Sequence, residues 1–307
     1  MTSESKKNLP ASVRQRLLNL GKDRKQPFDL MLVRYGIERL LYRLSRSRHA
    51  EMFLLKGAML FTIWSDGSHR PTRDVDLLGF GPKDDEDLKA IFVELCGLET
   101  EPDGLMFLPD SVAVTSLREE AAYPGTRITL EARLEKVRIP LQVDIGFGDI
   151  VTPKPDEIDF PALLDFPAPH LRAYPIYTVV AEKLEASVRL GEANTRMKDF
   201  FDLWFLSRKF SFAGELLKDA VTRTFTRREM ALPSAVPVAL RTEFAVLKAA
   251  MWVAFLRRNA LAPVEIATAL ETIRTFVWPV MESAVKNTPF DKTWTPEKGW
   301  HTPDIAG

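Results

Sequence analysis

Two aspartates one residue apart, Asp74 and Asp76, open a run that is otherwise apolar through Val75, Leu77, Leu78 and Phe80. Side chains alternate along a strand, so both carboxylates fall on one face. Side by side they repel, and a divalent cation held by oxygen ligands relieves the repulsion. Mg2+ bound through one or two carboxylates, with phosphates completing its shell, is the usual case. The same spacing also suits a strand-edge pair with no metal. The preceding stretch favours the metal. Phe53 to Lys56 predicts a short strand, and Gly57-Ala58 a small-residue turn that lets backbone approach a ligand. A short helix starting there would aim free N–H groups at a phosphate. A phosphate cradle followed by paired carboxylates is the physical outline of a nucleotidyl-transfer site.

Three further groups could join that chemistry. In the predicted strand Ile139 to Phe147, Ile139, Leu141, Val143 and Ile145 face a core, which leaves Gln142 and Asp144 on the other side. Asp144 is then either a third carboxylate of the kind metal-assisted phosphoryl transfer uses or a strand-end cap of the GFG turn. Lys183 lies just off the apolar face of a helix carrying VVAEKLEASVRL, where it is either solvated or a point charge for a leaving pyrophosphate. Arg196, Asp199 and Asp202 recur every three residues on an otherwise aromatic helix. They read as a polar network or as a simple intrahelical pair.

The elements around these residues follow from pattern. Helices are expected over 11–21, 27–44 and 83–95, strands over 105–108, 111–117, 127–137 and 139–147, and helices again from Thr178, which can cap the first of them. Pro263 fits the first turn of the last long helix. The arginines of 27–48 fill the polar positions of a helix and are expected mostly on a wet face. The acidic run 84–87 is a helix start, not a second metal site. Residues 1–9 are expected to be disordered, and a polar loop to precede Asp74. Six prolines without periodicity in 150–175 read as a linker. The domain reading is therefore N-terminal helices over 1–49 packing on the catalytic lobe, an α/β lobe over 50–150, a linker over 151–175 and an α-helical lobe over 176–307.

Composition bounds the class. The 307 residues are 46% hydrophobic and 27% charged, an ordinary globular balance. No apolar run approaches a membrane span, and the polar N-terminus lacks a signal core, so a cytoplasmic protein is expected. The one cysteine, Cys96, excludes an internal disulfide framework, and the four scattered histidines suggest no zinc site. Net charge is zero but segregated. Residues 12–50 hold ten Lys/Arg and three Asp/Glu (net +7), residues 74–170 hold eight and 21 (net −13), and residues 171–260 hold 15 and nine (net +6). Basic flanks around a catalytic lobe suit a nucleic-acid substrate. Solvated helix faces would give the same numbers. No heptad run suggests a coiled coil, and a monomer is expected.

Four stretches in order, KGAMLF…RPTRDVD, LQVDIG, YTVVAEKLEA and RMKDFFDL, together resemble the AbiEii/AbiGii toxin family, including the MenT toxins, within the DNA polymerase β-like nucleotidyltransferases. The resemblance implies an α+β, bilobed protein: an N-terminal nucleotidyltransferase-type mixed β-sheet lobe with helices and a C-terminal α-helical lobe completing the nucleotide cleft. It implies metal binding by Asp74 and Asp76, with Asp144 on the third-carboxylate strand. Lys183 matches the phosphate-contacting lysine of an E-K-x-x-A helix. Asp199 matches the aspartate of an R-x-K-D-x-x-D motif, with Arg196 and Asp202 beside it. Gly57 matches the phosphate turn, where Ala58 replaces a common serine, and Arg73 stands where it could neutralise a triphosphate. Implied with these are Mg2+ or Mn2+, an NTP substrate, the tRNA acceptor stem as target and a cognate antitoxin, AbiEi-like or of kinase type. Thr72 matches a hydroxyl residue that a kinase antitoxin phosphorylates in one relative. Transfer to a protein or a small molecule, and NTP binding without catalysis, are the alternatives.

Overall fold

A computed structural model of the chain describes residues 9–65, 72–117 and 125–303. Of the expected disordered start (1–9), residues 1–8 lie outside the described residues and Leu9 opens a helix; most of the polar loop before Asp74 (66–71) also lies outside them. The fold is α+β and divides into two compact units, Met1–Gly148 with Asp156–Ala173, and Asp149–Pro155 with Tyr174–Gly307.

The first unit runs α1 (Leu9–Asp23), α2 (Phe28–Arg46), β1 (Phe53–Lys56), α3 (Leu60–Trp64), β2 (Asp74–Gly79), α4 (Asp85–Gly97), β3 (Leu105–Leu117), β4 (Gly125–Leu134), β5 (Val137–Phe147), β6 (Asp156–Asp159) and β7 (His170–Ala173). The strands form one sheet in the order β3-β4-β5-β2-β1-β7-β6. The β2–β5 and β1–β7 pairs are parallel and the others antiparallel. Alternation does the sorting: Ile139, Leu141, Val143 and Ile145 of β5 and Val75 and Leu77 of β2 are buried. α2 packs on β5, with Gly36 against the Leu141 and Ile139 side chains, where a Cβ would collide with Leu141. The acidic run is a helix start, with the Asp84 carboxylate accepting from the Asp87 amide to cap α4.

Three expectations are corrected here. The proline-rich stretch is not only linker, since β6 and β7 lie within it and extend the sheet; both are four residues long, too short to show a period. β3 is one strand with a register irregularity between Leu108 and Ala113, around Pro109, not two separate strands. And α2 is buried nearly all round, so Arg39 and Arg43 are not on a wet face. Arg43 pairs with Asp103 at 2.7 Å, and Arg39 Nη2 donates to the Pro167 carbonyl at 2.6 Å. Glu38 accepts from the Leu163 amide at 2.6 Å, and burial pushes its carboxyl up to about 7. These charges pin irregular chain to the helix rather than meet solvent.

The second unit comprises α5 (Ile176–Leu190), α6 (Met197–Lys209), α7 (Gly214–Arg227), α8 (Thr242–Arg258) and α9 (Ile266–Lys286). A small antiparallel sheet of β8 (Phe212–Ala213), β9 (Thr293–Thr295) and β10 (Gly299–His301) closes it. Thr178 does not cap α5, which starts after Pro175. Its hydroxyl instead donates to the Thr152 carbonyl and accepts from the Thr152 amide, both at 2.8 Å. Pro263 precedes α9 by three residues, and Pro279 lies inside that helix. A proline there weakens the carbonyl ladder one turn back. Trp300 Nε1 donates to the Phe276 carbonyl at 2.7 Å and stacks on the Phe276 ring, while Trp294 packs against the same ring.

Candidate active site

The carboxylates of the first unit sit in two adjacent rows across the sheet. β1 and β2 pair Lys56 with Asp76, β2 and β5 pair Asp76 with Asp144, and β5 and β4 pair Asp144 with Arg127. One step along, Asp74 pairs with Gln142 and Gln142 with Thr129. Because the strand period is two, both rows lie on one face of the sheet, with Val75 and Val143 buried on the opposite face. Asp74, Asp76 and Asp144 are thereby brought together by backbone register alone.

Their partners differ. Thr72 Oγ1 donates to Asp74 Oδ1 at 2.6 Å. Arg127 grips Asp144 with a fork, Nε to Oδ1 and Nη2 to Oδ2, both at 2.8 Å. The Gln142 amide, turned with its oxygen to the guanidinium, accepts from Nη2 at 3.1 Å. The Asp144 hydrogen bond first, and then the charges of Asp144, Asp74 and Asp76, hold the Arg127 guanidinium above its ordinary pKa against a partial burial cost. Arg73 does not point to this face's carboxylates by any contact. Its Nη2 pairs with Asp29 at 2.6 Å on the surface, and the hydrogen bond to Arg73 holds the Asp29 carboxyl below its usual range.

The residues present fit a divalent cation in part. Two carboxylates on one face, with phosphate oxygens supplying the rest, match the hard-oxygen, incompletely protein-bound coordination of Mg2+. A preformed three-carboxylate cage does not fit. Both Asp144 oxygens are engaged by Arg127, and among the described residues no group of three Asp, Glu, His or Cys side chains is arranged to hold a metal.

Gly57 serves this site in a way the sequence reading missed. It has φ +71°, and a Cβ built on it would fall on the Asp76 carboxylate. The glycine makes room for the aspartate as well as for a tight turn. The turn that follows, Gly57–Met59 and α3, is short, with Ala58 in its first half. Gly57→Ala is expected to destabilise the fold by about 1–3 kcal/mol through the left-handed backbone and displaced carboxylate. Thermal melting reads this directly, and an unchanged Tm would show that Asp76 moves aside at no cost.

In the second unit, Lys183 of α5 spans two carboxylates of α6, donating to Asp199 Oδ1 at 2.9 Å and Asp202 Oδ2 at 2.7 Å. Arg196 adds a pair to Asp199 at 2.6 Å, so the network and the intrahelical pair are both present. The two carboxylates are sealed, at 2% and 0% side-chain exposure, whereas Lys183 keeps 13% and Arg196 45%. Asp202 is thus placed as a partner of Lys183, not as a group facing a ligand. Burial opposes the charge on Lys183 and Asp199 alike. The opposite charges outweigh it, lifting the ammonium above its usual pKa and holding the Asp199 carboxyl below its own.

Flanking Lys183 on the same helix, Glu185 is fully buried and accepts from Arg228 at 2.6 Å and from Arg189 at 3.0 Å. Arg228 also reaches Asp149 at 3.0 Å and Glu182 at 3.4 Å. Residue pattern does not single out Arg127, and it marks Arg228 only as the end of the basic stretch 222–228, which suits a phosphate contact and a surface turn equally. Arg228 sits in a basic stretch indistinguishable from a surface turn until its carboxylate partners are known.

The sequence profile of the nucleotidyl transferase AbiEii toxin family, a type IV toxin–antitoxin system, matches residues 39–275. No curated protein sequence matches the chain. Among solved structures, JHP933 from Helicobacter pylori is similar at 14% identity with a TM-score of 0.47, covering 81% of this chain and 90% of that one. A protein of H. pylori designated a nucleotidyltransferase is similar at 13% identity with a TM-score of 0.44, covering 82% of this chain and 94% of that one.

Proposed function

The chain belongs to the AbiEii nucleotidyltransferase family of type IV toxins, and from that premise we propose that it transfers a nucleoside monophosphate from an NTP to the 3′ end of tRNA in a Mg2+-dependent reaction, blocking translation. The observation that carries this reading is the pair Asp74 and Asp76 on one sheet face beside the Asp144–Arg127 fork. In the reaction, the acceptor hydroxyl oxygen bonds to the α-phosphorus, the bond to the bridging α–β oxygen breaks and pyrophosphate leaves. Asp74 and Asp76 would hold the cation, which when bound neutralises phosphate charge and acidifies the attacking hydroxyl.

The chain's own groups do the rest. Asp144, held by Arg127, orients a guanidinium beside the carboxylates and is the candidate to accept the hydroxyl proton. Lys183 supplies a fixed positive charge for phosphate oxygens, with Asp199 and Asp202 setting its position and Arg196 the more exposed cation next to it. Gly57 and Ala58 offer backbone amides, and Arg73 is a surface cation that a triphosphate could take from Asp29. The target class rests on charge. Arg14, Lys22, Arg24, Lys25, Arg46 and Arg48 remain exposed on the N-terminal helices and their flanks after the buried arginines are set aside. A polyanion fits them better than a small acceptor.

Incubation with each α-labelled NTP, total tRNA and graded Mg2+ tests the reading. Label on tRNA from the wild type supports it. Label on a protein band would move the acceptor to a side chain, and bound nucleotide with no label anywhere would leave a binding module. An Asp144→Asn variant whose Mg2+ dependence matches the wild type would assign Asp144 to Arg127 and not to the cation.

Regulation at Thr72 belongs to the same proposal. Its hydroxyl is a donor to Asp74, and a phosphate there would replace that donor with two negative charges. Thr72→Glu is expected to lower transfer by at least about tenfold. Wild-type rates in that variant would remove Thr72 as a control point.

A further inference from the structure

α8 is apolar on both of its faces. The inward side, Phe244, Ala245, Trp252 and Leu256, is buried together with the stem of Lys248. The outward side carries Val246 at 77% exposure, Leu247 at 55%, Met251 at 40% and Val253 at 52%, with Ala250 and Ala254 exposed among them. At 3.6 residues per turn these positions form one continuous stripe. Glu243 stands at its start and Arg257 and Arg258 at its end, all exposed, and among the described residues none of the three makes a side-chain hydrogen bond or ion pair. Beside the stripe, an open groove of about 710 Å3 runs between α8 and residues 261–267, walled by Val246, Val253, Pro263 and Val264. A helix that is hydrophobic all round is normally covered, and a contiguous exposed apolar patch marks a contact surface.

The order of charges on the stripe identifies what covers it. Glu243 and Arg257 are each seven residues from Ala250, about 10 Å along the helix on either side. We propose that α8 packs antiparallel against α8 of a second copy of this chain, with the two-fold axis at Ala250. Glu243 then meets Arg257 of the second copy, twice by symmetry, and Val246 and Leu247 lie level with Ala254 and Val253 of the second copy. Ala250 and Ala254 are small enough for the two helices to approach closely. A parallel pairing would set Glu243 against Glu243 and arginine against arginine. The surface is therefore self-complementary in the isologous sense that closed dimers require, replacing the monomer expected from the lack of heptads. The inference is independent of the transfer chemistry.

Sedimentation equilibrium on the full chain tests it. The wild type is expected to move with concentration toward twice the 34.8 kDa chain mass. Val253→Glu should leave a folded monomer whose melting curve matches that of the wild type at concentrations where the wild type is dissociated. Glu243→Arg and Arg257→Glu should each raise the dimer dissociation constant at least about tenfold, and the two together should restore it, because the charge pair is re-formed with its order exchanged. A wild type that stays monomeric at high concentration overturns the proposal, and so does a dimer indifferent to Val253→Glu. A double variant no tighter than either single one overturns the antiparallel register, as does a face occupied only when a different protein is added.

Discussion

Asp76→Ala is expected to lower nucleotide transfer by about 10^3-fold, because on the proposed chemistry it removes one of the two carboxylates that would hold the cation and forfeits several kcal/mol of charge stabilisation in the transition state. Asp76 is the carboxylate whose surroundings are most constrained. Lys56 is its register partner on one side and Asp144 on the other, and Gly57 leaves out a Cβ in its favour. The variant should fold. Two further aspartates, Asp74 and Asp144, share the same face, so removing one negative charge relieves repulsion even as it removes contacts. The measurement is single-turnover transfer of labelled nucleotide at saturating Mg2+, beside a melting curve. A loss under tenfold with an intact fold would remove the carboxylate pair from the chemistry.

Lys183→Met is expected to cost the fold about 3–5 kcal/mol as well as to abolish transfer, since it removes the ammonium that pairs with two sealed carboxylates, of which Asp199 keeps its pair with Arg196. The pH dependence separates this from a simple packing defect. In the wild type Asp199 titrates below its unfolded value, so its contribution is present above the ordinary aspartate range near pH 4 and lost as the pH falls through the lower folded value. Without the lysine, burial dominates and the folded pKa rises above the unfolded one. That contribution is then favourable below about pH 4 and lost as the pH rises. The stability gap between variant and wild type should therefore be widest at neutral pH and narrow on acidification, as followed by urea unfolding. A gap that ignores pH would mean that the carboxylates find other partners. Adding Asp202→Asn to Lys183→Met should recover part of the stability and none of the transfer, which divides the structural role of the lysine from its chemical one.

Much of the first unit was legible because strand alternation is a strict code. Val75 and Leu77 against Asp74 and Asp76, and Ile139 to Ile145 against Asp144, sort themselves without any knowledge of neighbours. Lys183, Asp199 and Asp202 were visible as individuals, and helical spacing put the last two on one face, but nothing in spacing says that an ammonium from another helix sits between them. Arg127 shows what was missed and why. β4 and β5 are joined by the two residues Glu135 and Lys136, which fixes Leu134 opposite Val137 and so Arg127 opposite Asp144. Two-residue hairpin loops usually announce themselves with Asn or Gly at positive φ. Here Glu135 takes φ +54° without being either, and pattern alone absorbs the turn into the expected strand 127–137. Arg39 and Arg43 of α2 defeat the pattern for a related reason. Their partners, Asp103 and the Pro167 carbonyl, are 60 and 128 residues away, and a helix in isolation gives such charges no destination but water.

In the row Lys56, Asp76, Asp144, Arg127, the ion pair of Arg127 with Asp144 gives the resting protein a counter-ion of its own, tethered to a flanking strand. Bare carboxylates would draw in whatever multivalent ion was abundant. Here a free ion must compete with the Arg127 guanidinium, which cannot diffuse away, so it gains little by coming alone. On the proposed chemistry, the ion is better delivered already bound to a triphosphate, whose own negative charge gives the displaced arginine somewhere to go. Loading of the site then follows the supply of nucleotide and not the supply of metal, and a toxin held in store stays uncommitted in a cell that is never short of magnesium.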